Sequence, residues 1–240
     1  MIQNNINWEE KFDNKLGLSE YDYNKILSTI NNKENEFNNK CISLDVPRTL
    51  SEEFRKQNPI FTSNLEEILK VFSSSNGGLG YISGMSYIVK MLLKLTNNNK
   101  IKTFIILRNI FEDKNIQNLY NNNYMIAYEK FKILFKEKMP SLFEHLEKNS
   151  TDLFSFISPK LNTLFTFWDE NIAEYIFKMF IYKNDFNVYM YSLLAILKIY
   201  EIELLNKNET DISLYLFSIK KVDFTKFIEN LKEYDKKNIF

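Results

Sequence analysis

Apolar side chains along this chain recur at steps of three and four. Tyr23, Ile26, Leu27 and Ile30 form one such series, and Leu65, Ile68, Leu69 and Phe72 form another. Tyr81, Met85, Ile88, Leu92 and Leu95 follow at steps of 4, 3, 4 and 3. This is the period of one buried helix face. Ser83, Tyr87, Lys90 and Lys94 share the opposite face. The same spacing predicts helices over 101–111, 116–136, 141–147, 152–167, 171–182, 186–205, 211–218 and 223–234. No stretch alternates at period two for long enough to require a sheet, although 219–224 has a short extended character. The expected fold class is all-α. Solenoid-type repeats and sustained heptads are absent.

Punctuation between these segments sharpens the boundaries. Asparagine tracts at Asn31-Asn32, Asn97 to Asn99 and Asn121 to Asn123 suit turns. Pro140 and Pro159 are placed near helix starts, where a missing N–H is harmless. Pro47 biases Val46 towards extended backbone, so 41–49 is expected to be a connector. Thr49 with Glu52, and Ser63 with Glu66, make two capping boxes. The second would open a helix from Asn64 to Phe72. Ser73 to Gly80 reads as a loop, and residues 1–20 as a loose or partly helical lead.

Composition narrows the function classes. The 240 residues carry 31 basic and 31 acidic side chains, a net charge of +0, which argues against a general nucleic-acid binder. Only 5 glycines and 4 prolines leave too few turn-formers for a many-stranded sandwich or barrel. Cys41 is the sole cysteine, so no internal disulfide can form and a reducing compartment is expected. His145 is the sole histidine, which removes multi-histidine zinc sites. The polar, acidic start is unlike a signal peptide. Val188–Leu197, the longest weakly polar run, is far shorter than the roughly 20 residues that span a bilayer. A cytoplasmic protein is expected.

Two segments stand out as candidate chemistry. In Asp45-Val46-Pro47-Arg48-Thr49, an acid and a base lie three residues apart. They could form a local pair that orders the chain, or hold an arginine whose forked donors suit a phosphate. In Gly77-Gly78-Leu79-Gly80-Tyr81-Ile82-Ser83-Gly84-Met85 lie four of the five glycines. This could be a tight turn between packed helices or an anion cradle at a helix start. It has no Gly-Lys-Ser/Thr ending and no Gly-x-Ser-x-Gly nucleophile motif.

Taken together, these segments resemble the TBC domain, the helical GTPase-activating domain that acts on Rab-type small GTPases. Ile42-Ser43-Leu44-Asp45-Val46-Pro47-Arg48, followed by Thr49, is similar to the family's Ile-x-x-Asp-x-x-Arg motif. Gly80-Tyr81-Ile82-Ser83-Gly84-Met85 is similar to its Gly-Tyr-x-Gln-Gly-Met segment. Pro140-x-Leu142-x-x-His145-Leu146 and Leu161 to Phe165 resemble later stretches. The resemblance implies a two-lobed helical domain over 21–236, with an N-lobe of about 21–139 and a C-lobe of about 140–236. Residues 1–20 would be a lead and 237–240 a tail.

The resemblance also implies roles. Arg48 would be an arginine finger acting in trans, and Asp45 would orient its loop. Ile42, Thr49, Gly80, Tyr81, Gly84 and Met85 would contribute to the partner surface. No cofactor is intrinsic, because GTP and magnesium come with the GTPase. Membrane contact would come only through the lipidated GTPase, with recruitment to endomembranes by that route. Ser83 stands where the family has its glutamine finger, and serine is two bonds shorter and cannot reach the same point. Asn76, on the glycine-rich loop, is one side chain that could substitute. Three readings follow: a GTPase binder with weak or lost activation, an activator using Arg48 with the GTPase's own glutamine, or a helical scaffold that binds no GTPase.

Overall fold

The computed structural model describes residues 7–30, 36–121 and 124–234. Its described residues form helices joined by turns, and no strand occurs among them. The fold is all-α. None of the helices among the described residues is long and apolar enough to cross a membrane. The chain divides into two compact units, Phe12–Asn121 and Met1–Lys11 with Asn122–Phe240. The Asn31-Asn32 tract, most of the 121–123 tract and the 237–240 tail lie outside the described residues.

The second of these units begins with the short α1 (Trp8–Lys11), which packs on α12 (Glu170–Lys183). Its remaining helices are α9 (Tyr124–Lys138), α10 (Pro140–Lys148), α11 (Leu153–Asn162), α13 (Asn187–Ile199), α14 (Glu201–Leu205), α15 (Glu209–Ser218) and α16 (Phe224–Tyr234). The core helix is α13, packed against α9, α12, α14 and α16. The apolar run Val188–Leu197 is its interior, buried at all but Tyr191. That accounts for a stretch that is hydrophobic on every side yet too short for a bilayer. Tyr175, Phe177, Phe180, Phe186 and Tyr189 pack inward, with Tyr189 stacked on Phe165 at a centroid separation of 5.9 Å. Asp169 caps α12, accepting from the Asn171 and Ile172 amides. Pro159 lies inside α11 rather than at its start, because Asp152 supplies the cap seven residues earlier.

The unit Phe12–Asn121 contains α2 (Glu20–Leu27), α3 (Glu36–Thr49), α4 (Glu52–Gln57), α5 (Pro59–Ser75), α6 (Met85–Leu95), α7 (Lys100–Ile110) and α8 (Lys114–Tyr120). Helix α5 lies at its centre and touches α2, α3, α4, α6 and α7. The asparagine tract at 97–99 is a turn, as its composition implies. Asn97 and Asn98 adopt φ of 52° and 63°, and Asn99 caps α7 by accepting from the Lys102 amide.

Several boundaries depart from the sequence expectation. Residues 41–49 are the last two turns of α3, not a connector, and Pro47 lies within the helix. Ile42, Asp45, Val46 and Thr49 fall on one buried face at helical spacing. Burying aliphatic side chains at about 1.5–3 kcal/mol each outweighs the roughly 3 kcal/mol of an interior proline. The Thr49–Glu52 box is not formed. Ser51 caps α4 instead, accepting from the Phe54 amide. Helix α5 starts at Pro59, five residues before Asn64, and runs through Ser75. Proline at its first position suits a helix start. The single helix expected over 116–136 is two helices, α8 and α9, interrupted at the asparagine tract.

Candidate functional site

The two unusual sequence segments meet within the unit Phe12–Asn121. The last turn of α3 supplies Asp45, Arg48 and Thr49, and the loop 76–84 leads into α6. Asp45 is only 9% exposed, so its carboxylate requires partners. It has one on each oxygen. Tyr81 Oη donates to Oδ2 at 2.9 Å, and Arg48 Nη1 donates to Oδ1 at 3.3 Å. Burial, with the Asp45 charge beside it, raises the Tyr81 hydroxyl well above its ordinary pKa. Tyr81 therefore stays a protonated donor to the carboxylate.

Arg48, unlike Asp45, points outward. Its side chain is 73% exposed while that of Asp45 is 13% exposed. An ion pair so open to water contributes little to stability, about 0–1 kcal/mol. Its consequence is geometric: the guanidinium is tethered on one nitrogen at the end of a helix. The backbone beneath is held as well. Tyr87 Oη donates to the Arg48 carbonyl at 3.2 Å, and Lys90 Nζ lies 3.5 Å from the Thr49 carbonyl. Thr49 Oγ1 shares a 2.6 Å hydrogen bond with Ser86 Oγ, both buried. These contacts join the α3 terminus to the first turns of α6.

Glycine conformations shape the loop. Gly80 has φ of +68°, and a Cβ there would lie 3.2 Å from Asn38 Oδ1. That same Asn38 oxygen accepts from the Tyr81 amide at 3.1 Å. Gly84 has φ of 101° and occupies the N-cap of α6 without a side-chain capping bond. Arg108 anchors the start of the loop by donating to the carbonyl of Ser75, the last residue of α5.

Each sequence-predicted residue can now be placed. Ile42 and Met85 are fully buried and support the site from within. Gly80, Tyr81 and Gly84 set the loop path. Ser83 is exposed and sits in the turn before α6, two residues after Tyr81, rather than on the helix itself. Asn76 is not available as a substitute for a glutamine. Its Oδ1 accepts from the Gly80 amide at 2.9 Å and its Nδ2 donates to the Gly80 carbonyl at 2.8 Å. His145 lies in the other unit, with Nε2 3.0 Å from the Lys207 carbonyl. Sequence reasoning missed Asn38, Ser86 and the tether from Tyr87. Tyr87 had a signal, since its spacing from Ser83 in the sequence put the two on one expected helical face; Asn38 had none.

Similarity to known proteins covers most of the chain. The sequence profile of the Rab-GTPase-TBC domain matches residues 2–205. The chain belongs to this family. Among similar relatives of the TBC chain is the Rab GTPase-activating protein eat-17 of Caenorhabditis elegans. It is 28% identical over 171 residues, covering 69% of this chain and 19% of that protein. TBC1 domain family member 14 of Rattus norvegicus is 27% identical over 133 residues, covering 53% of this chain and 19% of that protein. The TBC chain thus spans about a fifth of the length of these relatives.

Solved structures agree on the fold. The Chlamydomonas flagellar RabGAP TBC domain superposes with a TM-score of 0.78 at 19% identity, covering 96% of this chain and 76% of that one. The Ypt/Rab-GAP domain of Gyp1p gives a TM-score of 0.75 at 13% identity, covering 89% and 77%. The all-α TBC architecture is common to all three.

Proposed function

We propose that this TBC domain binds a GTP-loaded Rab-type small GTPase through the face formed by the α3 terminus and the loop 76–84. The observation that carries the reading is Arg48. Its side chain is exposed, its guanidinium is held on one nitrogen by Asp45, and it is linked through Asp45 and Tyr81 to the loop bearing Ser83. In this reading Arg48 enters the partner's nucleotide site as an arginine finger. Its guanidinium neutralises charge on the transferring phosphoryl group, an effect worth about 10³–10⁵ in rate in GTPase systems. GTP and magnesium belong to the partner, and the TBC domain contributes no cofactor.

Ser83 occupies the place of the glutamine finger. A serine hydroxyl set two bonds back leaves the attacking water without the carboxamide that would orient it. Asn76 cannot take over while Gly80 holds both ends of its amide. Stimulated hydrolysis is therefore weak or absent, and nucleotide-dependent binding is the main activity. Membrane proximity follows from the lipidated GTPase.

The direct test is binding of a panel of Rab-type GTPases, each loaded with GTP analogue or GDP. Saturable binding that prefers the GTP form and weakens in Arg48→Ala supports the reading. No saturable binding to any member would make the domain a scaffold of another kind. Strong hydrolysis by the wild-type chain, lost in Arg48→Ala, would instead show an activator that works with the GTPase's own glutamine.

A further inference from the structure

Within the other unit lies a buried lysine in an aromatic slot. Lys160, on α11, is 8% exposed. Its Nζ sits 3.5 Å from the centroid of the Phe156 ring and 4.8 Å from that of Trp168. It donates to the Phe156 carbonyl at 2.8 Å. No carboxylate of the described residues pairs with it. It lines a partly open cavity of about 130 Å³ together with Leu216, Phe217, Ile219 and Lys220. Roughly 30 Å³ per small polar molecule gives room for about four heavy atoms.

The backbone holding this lysine is firmly set. The Lys160 carbonyl accepts from the Phe165 amide at 2.6 Å, closing a turn in which Leu164 and Phe165 adopt φ of 48° and 66°. Trp168 is fixed by its indole N–H, which donates to the Ile219 carbonyl at 3.1 Å. Lys160 is thus part of the wall of a mainly apolar cavity.

We propose that Lys160 is a nucleophilic lysine that captures small aldehydes as an imine inside this cavity. The Nζ lone pair attacks the carbonyl carbon, and the carbonyl oxygen gains a proton to give a carbinolamine. Loss of water, carrying both amine hydrogens, forms the C=N bond; no oxidant or reductant is needed. The neutral amine that this requires is favoured by the surroundings. Burial, with Lys220 adding like charge, pushes the Lys160 ammonium down to about 7. The two ring contacts favour the cation by about 0.5–2 kcal/mol each, less than the several kcal/mol needed to strip an ammonium of water. An ordinary lysine, with a pKa of about 10.4, is almost wholly protonated at neutral pH.

The test is competitive labelling of the intact chain at pH 7 with propanal and cyanoborohydride, which traps an imine as a secondary amine, followed by peptide mapping. Lys160 is expected to label faster than the exposed lysines, on the order of tenfold. The excess should vanish in guanidinium-unfolded chain. Lys160→Arg, which keeps the charge and the ring contacts, should remove the fast-labelled peptide and no other. Labelling of Lys160 at or below the rate of the exposed lysines in the folded chain overturns the proposal.

Discussion

The Tyr81 hydroxyl donates to Asp45 Oδ2 at 2.9 Å, linking the glycine-rich loop to the last turn of α3. This one bond connects the two motifs that sequence alone could only set side by side. Tyr81→Phe leaves a buried carboxylate oxygen without its donor. A hydrogen bond to a charged group contributes about 1.5–3 kcal/mol, so a loss of that order is expected. A lower urea midpoint at an unchanged denaturant slope measures it.

Gly80→Ala should destabilise the loop. Its φ of +68° disfavours any side chain, and the added Cβ would crowd Asn38 Oδ1 at 3.2 Å. The expected destabilisation is about 1–2 kcal/mol from backbone strain. The Asn38 contact to the Tyr81 amide should loosen with it. Faster hydrogen exchange at that amide in the variant is the corresponding readout.

Thr49 and Ser86 share a 2.6 Å hydrogen bond in the core between α3 and α6. Thr49→Val and Ser86→Ala should each destabilise by about 1 kcal/mol, since each strands a buried hydroxyl or its partner. The double variant should lose less than the sum. A coupling energy of about 0.5–3 kcal/mol in the double-mutant cycle is the expected result, as for residues in direct contact.

Acid should weaken the unit Phe12–Asn121 through Glu67. Burial alone would raise its carboxyl, but hydrogen bonds from Lys100 and Tyr23 and the charges of Lys100 and Lys70 outweigh it, so the folded-state pKa is lowered. Tyr23 Oη lies 2.7 Å and Lys100 Nζ 2.8 Å from Oε1. A depressed carboxylate contributes stability above its unfolded pKa and loses it as pH falls through the folded value. Stability curves between pH 6 and pH 3 should therefore be flatter in Glu67→Gln than in the wild type, with the wild-type advantage shrinking towards the acid end.

Much of this fold is legible in the sequence because burial imposes the helical period. Helices α7, α10, α12 and α16 lie within a residue or so of the spans their spacing predicts. The departures share a physical cause. The bias of a residue before proline is local, whereas Ile42, Val46 and Leu50 are buried by contacts far along the chain, and these carry α3 through Pro47. The helix expected from Tyr81 starts only at Met85, because Tyr81 is drawn to Asp45 before the chain turns at Gly84. Asp45, Arg48 and the glycine cluster announce the site by their rarity. Asn38, Ser86 and the double clasp of Asn76 on Gly80 do not, since asparagine and serine are common throughout and only tertiary placement gives these ones a role.

Arg48 and Ser83 together set the proposed activity. Single-turnover GTP hydrolysis by a bound Rab-type GTPase, compared for the wild type, Arg48→Ala and Ser83→Gln, tests it most directly. Expected are a small rate increase with the wild type, its loss in Arg48→Ala and a gain of tenfold or more in Ser83→Gln. Strong stimulation by the wild type that Ser83→Gln leaves unchanged would contradict this reading.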